Sequence, residues 1–184
     1  MQTNQMDSFT LYDGAVPHVT AVLDVFLHLV DKLEAHAITS KSSTGALIHE
    51  SLAPDMLPFT VQVFIAVDNA TQVVSILNST QRPAALKIAP GDLKTLEDLR
   101  NHVRAAREFV QAANRAATIS PGTDVKFTMG PGKEGAAKAH EFVNGFSIPN
   151  MYFHIVTAYG ILRKSGLELG KDDYLTHFLG RYQS

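Results

Sequence analysis

The chain has 184 residues, with 16 Lys+Arg against 18 Asp+Glu, a formal net charge of -2 and only 18% charged residues. Near-neutral charge without a strongly basic segment excludes the electrostatic footprint of a nucleic-acid or anionic-membrane binder, and the absence of Cys excludes disulfides, thiolate nucleophiles and cysteine-held metals. A chain of this length buries roughly 70% of the surface its unfolded form exposes, so a single domain over residues 1–184 with one apolar core is expected.

The first basic residue is Lys32, so the beginning lacks the charged region of a secretory signal. Apolar runs are short and broken, as in Val61–Val67 before Asp68, which predicts a cytoplasmic protein with no membrane contact. From Val16 to Leu33, the residues Val16, Val19, Leu23, Phe26, Val30 and Leu33 recur in steps of three and four and predict a first helix, with Pro17 in its first turn. Thr39–Ser51 reads as a connection with one short helical turn around Leu47.

A second helix is expected from Leu57 to Leu77, started by Pro54 or Asp55 and burying Leu57, Val61, Phe64, Val67, Val74 and Leu77. The third has the clearest pattern: Asp92 as N-cap, then Leu96, Leu99, Val103, Ala106, Val110 and Ala113 on one stripe, with Pro121-Gly122 beyond its end. Asp124–Met129 alternates like a short strand, Gly130–Gly135 is a loop, and Ala136–Phe142 is expected as a short helix. The loop fits GxGxxG, but Pro131 removes an amide from any phosphate cradle and no βαβ unit surrounds it, so it reads as the turn of a surface hairpin. The fourth helix is expected from about Ser147 to Lys164, with Met151, Ile155, Ala158 and Leu162 inward and Ser165-Gly166 as its stop. The fold class is therefore all-α: a four-helix bundle with a short irregular or hairpin insertion before the last helix.

Among the eight His, no pair has the i, i+4 spacing of a helical zinc motif. His18, His28 and His102 read as solvated or hydrogen-bonded helix residues. His154 differs, flanked by Tyr152-Phe153 and with Asn150 one turn earlier on the same side. Asp68 is the second anomaly, because four residues after Phe64 and seven after Val61 it falls on an expected inner face, where a carboxylate must be paired or metal-bound. If the second and fourth helices are neighbours, Asp68 and His154 meet, with the Asn150 amide, Gln62 and Tyr159 as further members of a pocket. Such a group is either a metal or acid–base site or a buried hydrogen-bonded pair that locks helix register.

The segments Leu52-Ala53-Pro54-Asp55-Met56 and Pro149-Asn150-Met151-Tyr152-Phe153-His154, together with Leu11-Tyr12, Gln62, Asp68, Thr157-Ala158-Tyr159 and Gly170–Leu175, resemble a bacterial family of unknown function within the DinB-like (YfiT-like) metalloenzyme superfamily. That resemblance covers most of the chain and implies an up-down-down-up bundle, frequently a homodimer, in bacterial cytoplasm. It also implies a divalent-metal site of three His, two of them spaced i, i+4 on the last helix. Here only His154 matches: Asn150 and Ala158 stand four residues to either side, and the second helix has no His. Either Asp68, Asn150 and His154 rebuild a harder ligand set, or the pocket holds no tightly bound metal. The resulting expectation is a small-molecule-binding protein or degenerate metal-dependent enzyme with a pocket between helices two and four. The competing one is a dimeric structural or interaction protein in which these residues only specify packing.

Overall fold

The first helix extends beyond its apolar stripe at both ends. In the computed structural model, which describes residues 9–179, α1 runs Leu11–Ser40. It starts at Thr10, whose amide donates to Asp13 Oδ2 at 2.8 Å, and it stops where Lys41 turns left-handed at φ 56°. Pro17 consequently lies inside the helix rather than in its first turn. All six apolar residues of the predicted stripe are buried. The expected turn around Leu47 is α2, Thr44–Ile48, capped by the Ser43 hydroxyl.

The helix α3, Phe59–Leu77, begins later than predicted; Val67, Val74 and Leu77 are buried as expected, but in its first half the core takes Phe59, Val63 and Ala66, and beyond that it also takes Ala70 and Val73. Leu57 is exposed, while Val61 and Phe64 are only half-buried. This helix is apolar on more than one side, so more than one three-four register fits its sequence, and the packed one is rotated from the register that put Asp68 inward. The helix α4, Leu96–Gln111, is capped by Thr95 and not by Asp92: Asp98 N donates to Thr95 Oγ1 at 3.1 Å, and Thr95 N donates back to Asp98 Oδ2 at 2.9 Å.

Strands β1, Asp124–Gly130, and β2, Lys133–Lys138, form an antiparallel hairpin. The expected helix over Ala136–Phe142 is therefore strand as far as Lys138, because its residues pair with Asp124–Lys126. Helical structure begins with α5, Ala139–Glu141, passes through one π turn, Phe142–Ser147, and continues as α6, Ile148–Lys164. The π turn lies just upstream of Pro149, which has no amide to offer the preceding turn. A last helix, α7, Lys171–Leu179, docks on α1 through Asp173, which accepts from His28 Nε2 at 2.7 Å and pairs with Lys32 Nζ at 3.2 Å.

The described residues are thus mostly helical, with one two-stranded sheet among them. Against α1, α4 runs antiparallel: Arg100 pairs with Asp31 and Glu34 and Arg107 with Asp24, and Arg115, in the turn that follows α4, continues the ladder to Asp13. Against α3, α6 also runs antiparallel, with His154 beside Gln62 and Lys164 Nζ donating to the Ser51 carbonyl at 2.7 Å. The ends of α3 and α4 lie together, where Asn78 and Asn114 exchange hydrogen bonds of 2.9 and 2.8 Å. Phe26, Phe59, Leu99, Phe142 and Ile155 are fully buried between these helices, each worth roughly 1.5–3 kcal/mol in transfer free energy. By length and composition alone α1 and α3 could cross a membrane, but 56% and 67% of their most apolar windows are buried in this core.

Candidate functional site

The helix order brings α3 and α6 side by side, and a cleft of about 510 Å³ opens along that seam. Phe64, Ile65, Asp68 and Asn69 form its α3 wall. Phe146 of the π turn, then Asn150 and His154 at successive steps of four, form the opposite wall. The hairpin tip, Thr128–Gly132, makes the roof. It is held there by Gln72 of α3, whose Oε1 accepts from Thr128 N at 2.6 Å and whose Nε2 donates to Thr128 O at 3.1 Å.

The glycines of the GxGxxG segment have structural reasons. Gly130 and Gly132 take φ of 133° and 68°, values that side chains rarely adopt. Gly135 faces Phe127 across the ladder, and a Cβ there would sit 2.6 Å from its ring. That ring packs on Phe142 and Phe146, with centroids 4.7 and 5.1 Å away. The hairpin reading of this segment therefore holds.

His154 is 7% exposed, and its Nδ1 lies 2.6 Å from Gln62 Oε1. Gln62 Nε2 donates to the Leu57 carbonyl at 2.9 Å, which assigns Oε1 as the acceptor and Nδ1 as the protonated ring nitrogen. The remaining lone pair is on Nε2. Burial pushes the imidazole down to about 4, so the ring is neutral at pH 7. Such a ring can accept a hydrogen bond or a proton, held in one tautomer by its partner.

Asp68 does not pair with His154. It is half-exposed, and its carboxylate is engaged by Arg82, which follows the end of α3 and folds back over it. Asp68 nevertheless lines the same cleft as His154 and Asn150. Gln62, read from sequence as a lesser member, is the residue that orients His154. Tyr159 stands apart from the cleft, its hydroxyl donating to the Leu169 carbonyl at 3.1 Å. Asn69 has no place in the sequence reading, yet it is buried, lines the cleft and leaves Oδ1 without a protein hydrogen bond.

His102 also departs from its reading as a solvated or hydrogen-bonded residue. It is 6% exposed, neither ring nitrogen has a hydrogen-bond partner, and the ring stacks on Phe64 at 6.1 Å. Burial lowers it to about 4, against an opposing pull from Asp68. Its position gives the signal: three residues after Leu99 and four before Ala106, it lies within the buried stripe of α4.

The divalent-metal expectation does not fit these residues. Among the described residues no group of three or more His, Cys, Asp or Glu is placed to hold an ion. A single imidazole with amide oxygens is a weak donor set, and the one carboxylate beside it is already engaged by a guanidinium.

Residues 11–175 match the model of a family described as a domain of unknown function, DUF1993. The chain is also similar to the crystal structure of a DinB family member protein from Shewanella denitrificans at 1.83 Å resolution, with 32% identity over 90% of this chain and 91% of that one and a TM-score of 0.76. No curated protein matches the chain.

Proposed function

The chain belongs to the DUF1993 family, a domain of unknown function with DinB-like structure, and from that premise we propose that it is a small-molecule-binding protein whose cleft between α3 and α6 presents His154 to a ligand. The observation that carries this reading is the fixed neutral imidazole: Gln62 accepts a hydrogen bond from Nδ1–H and leaves the Nε2 lone pair without a partner among the described residues, in a residue that lines a roofed cleft. Asn150 lines the same cleft and makes no side-chain hydrogen bond with the described residues. A residue that served packing alone would be expected to satisfy its polar atoms within the protein. The helix pairings support an up-down-down-up four-helix bundle: α4 antiparallel to α1, α6 antiparallel to α3, and the ends of α3 and α4 together. The burial of the apolar windows of α1 and α3 supports reading them as core helices rather than membrane spans.

Ligand-observed NMR with a library of small aromatic and aliphatic fragments tests the reading. Fragments that bind the protein are expected to lose binding to His154→Ala, with helical content by circular dichroism unchanged. Hits that bind the variant equally well sink the proposal.

A homodimer through α6 is a second reading, favoured by Phe153 and Val156, which are 59% and 55% exposed and three residues apart on its outer side, with exposed Leu57 nearby in the chain before α3. A two-fold axis would pack this patch on its own copy. Light scattering is expected to give twice the 20.0 kDa chain mass, and Phe153→Asp to return it to one chain. A single-chain mass for the unaltered protein at micromolar concentration removes the dimer.

A further inference from the structure

Three residues of the cleft, His154, Asn69 and Asp68, each present an acceptor without a partner among the described residues, and Asn150 adds an amide with both donors and an acceptor. His154 Nε2 carries a lone pair because Nδ1 donates to Gln62. Asn69, 4% exposed, donates through Nδ2 to the Ile65 carbonyl at 2.9 Å, which fixes its amide orientation and leaves Oδ1 as an acceptor that no protein donor reaches. Asp68 is the one charged side chain in the lining, and its Oδ2 takes no hydrogen bond from the described residues while Oδ1 is held by Arg82. Among the described residues no Lys or Arg lines the cleft, and Arg82 meets Asp68 from outside the lining. Asn150 and Thr128 are the other polar side chains of the wall, and the remainder is apolar, with Phe64 and Phe146 supplying ring surface.

An acceptor cluster whose one carboxylate is shared with Arg82 selects a donor-rich head group. A carboxylate entering the same space would set its lone pairs against His154 Nε2, Asn69 Oδ1 and Asp68 Oδ2. An alcohol could donate only once. An ammonium group has three donors for these acceptors, and ring faces nearby add cation–π attraction. We propose that the cleft binds a primary amine carried on a compact apolar frame. This inference rests on the reading of the cleft as a ligand site and adds the chemical class of the ligand.

Three probes with one frame and different heads separate the possibilities: 2-phenylethylamine, 2-phenylethanol and 3-phenylpropionate, titrated at millimolar concentration against isotope-labelled protein while backbone amide shifts are followed. The amine is expected to move the amides around Asn69, Asn150 and His154 and to bind at least about tenfold more tightly than the alcohol, with the propionate weakest. Asn69→Leu removes the unpaired acceptor, so its melting temperature is expected to be no lower while amine affinity falls about tenfold and alcohol affinity stays the same. Asp68→Asn is expected to narrow the amine's advantage in the same way. Equal or tighter binding of alcohol or propionate at the cleft overturns the amine class and leaves the ligand-site reading standing. Amine shifts that persist unchanged in both variants overturn the class as well. If none of the three probes moves a cleft amide, the ligand-site reading falls, and the amine class with it.

Discussion

The seam between α1 and α4 and the seam between α3 and α6 are built from opposite kinds of polar contact. Along α1 and α4 every named polar pair is ionic and closed: Arg115 grips Asp13 through two nitrogens, Arg107 takes Asp24, and Arg100 reaches Asp31, Glu34 and Glu97. Along α3 and α6 the contact is neutral and open. Gln62 satisfies one nitrogen of His154, while Nε2, the Asn150 amide and Asn69 Oδ1 face the seam without protein partners. A closed ladder fixes how two helices lie against each other. An open set retains hydrogen-bonding capacity, at a cost in stability, for something that is not part of the chain.

Acid should most strongly separate the ionic pairs of α1 and α4 from the two buried imidazoles, His154 in the open seam and His102 of α4, which stacks on Phe64 of α3. His154 and His102 are held near 4 by burial, below the ordinary value of 6.5, so between those values the unfolded chain binds more protons than the folded one. Stability is fully present above about pH 6.5 and falls as pH drops toward 4. At pH 5 the loss is about 2 kcal/mol per histidine. Asp13 behaves differently: the Arg115 guanidinium and the Thr10 donors hold it below its ordinary 3.8, so its contribution is lost only as pH falls below about 4. Denaturant unfolding at pH 7 and pH 5 should therefore show a large drop, and His102→Leu should remove about half of it while matching or exceeding the parent stability at pH 7. An unchanged drop in that variant would break the assignment of acid sensitivity to buried imidazoles.

The next largest effect probes the open seam alone. Gln62→Leu leaves the buried Nδ1–H of His154 without an acceptor and should cost about 2 kcal/mol. Gln62→Leu with His154→Leu removes both partners and should recover most of that loss, because it strands no buried donor and leaves only the carbonyl of exposed Leu57 to pair with water. A double variant as unstable as the worse single variant would show that the pair does more than satisfy itself, and would move this seam closer to the ionic one.

Much of the frame is legible in the sequence because α1, α4 and α6 each carry a stripe that the core covers whole, although α1 buries further apolar residues on either side of its own. Val16 to Leu33, Leu96 to Val110, and Met151 to Leu162 are all buried where three-four spacing puts them. The site is less legible because α3 is apolar nearly all round. The register through Val61, Phe64 and Asp68 fits its sequence as well as the one through Val63, Ala66 and Ala70, and only packing against the other helices chooses between them. The rejected register pointed to Asp68 as the partner of His154, whereas the packed one places Gln62 there and turns Phe64 and Ile65 into cleft wall. Arg82 was beyond reach of periodicity, since it meets Asp68 from an irregular segment fourteen residues away. The prediction of a strand at Asp124 succeeded through alternation, but Ala136–Lys138 reads as a helix former until its pairing partner is known.

The smallest expected effect lies in the closed seam, despite its greater number of charges. Arg100 is the most buried of its cations, with a side chain 9% exposed, yet its three carboxylate partners are all more than half exposed. Removing it strands no buried charge: Asp31, Glu34 and Glu97 return to water. Arg100→Ala should therefore cost about 1 kcal/mol, part of it from lost packing of the aliphatic stem, and the ionic part should vanish in high salt. Gln62→Leu should keep its full cost in the same salt, because the acceptor it removes is neutral and buried. Thermal melts of both variants in low and high salt provide the check. If Arg100→Ala proved the more damaging change at every ionic strength, the α1–α4 ladder, rather than the open seam, would be where this fold is most sensitive to the loss of one polar group.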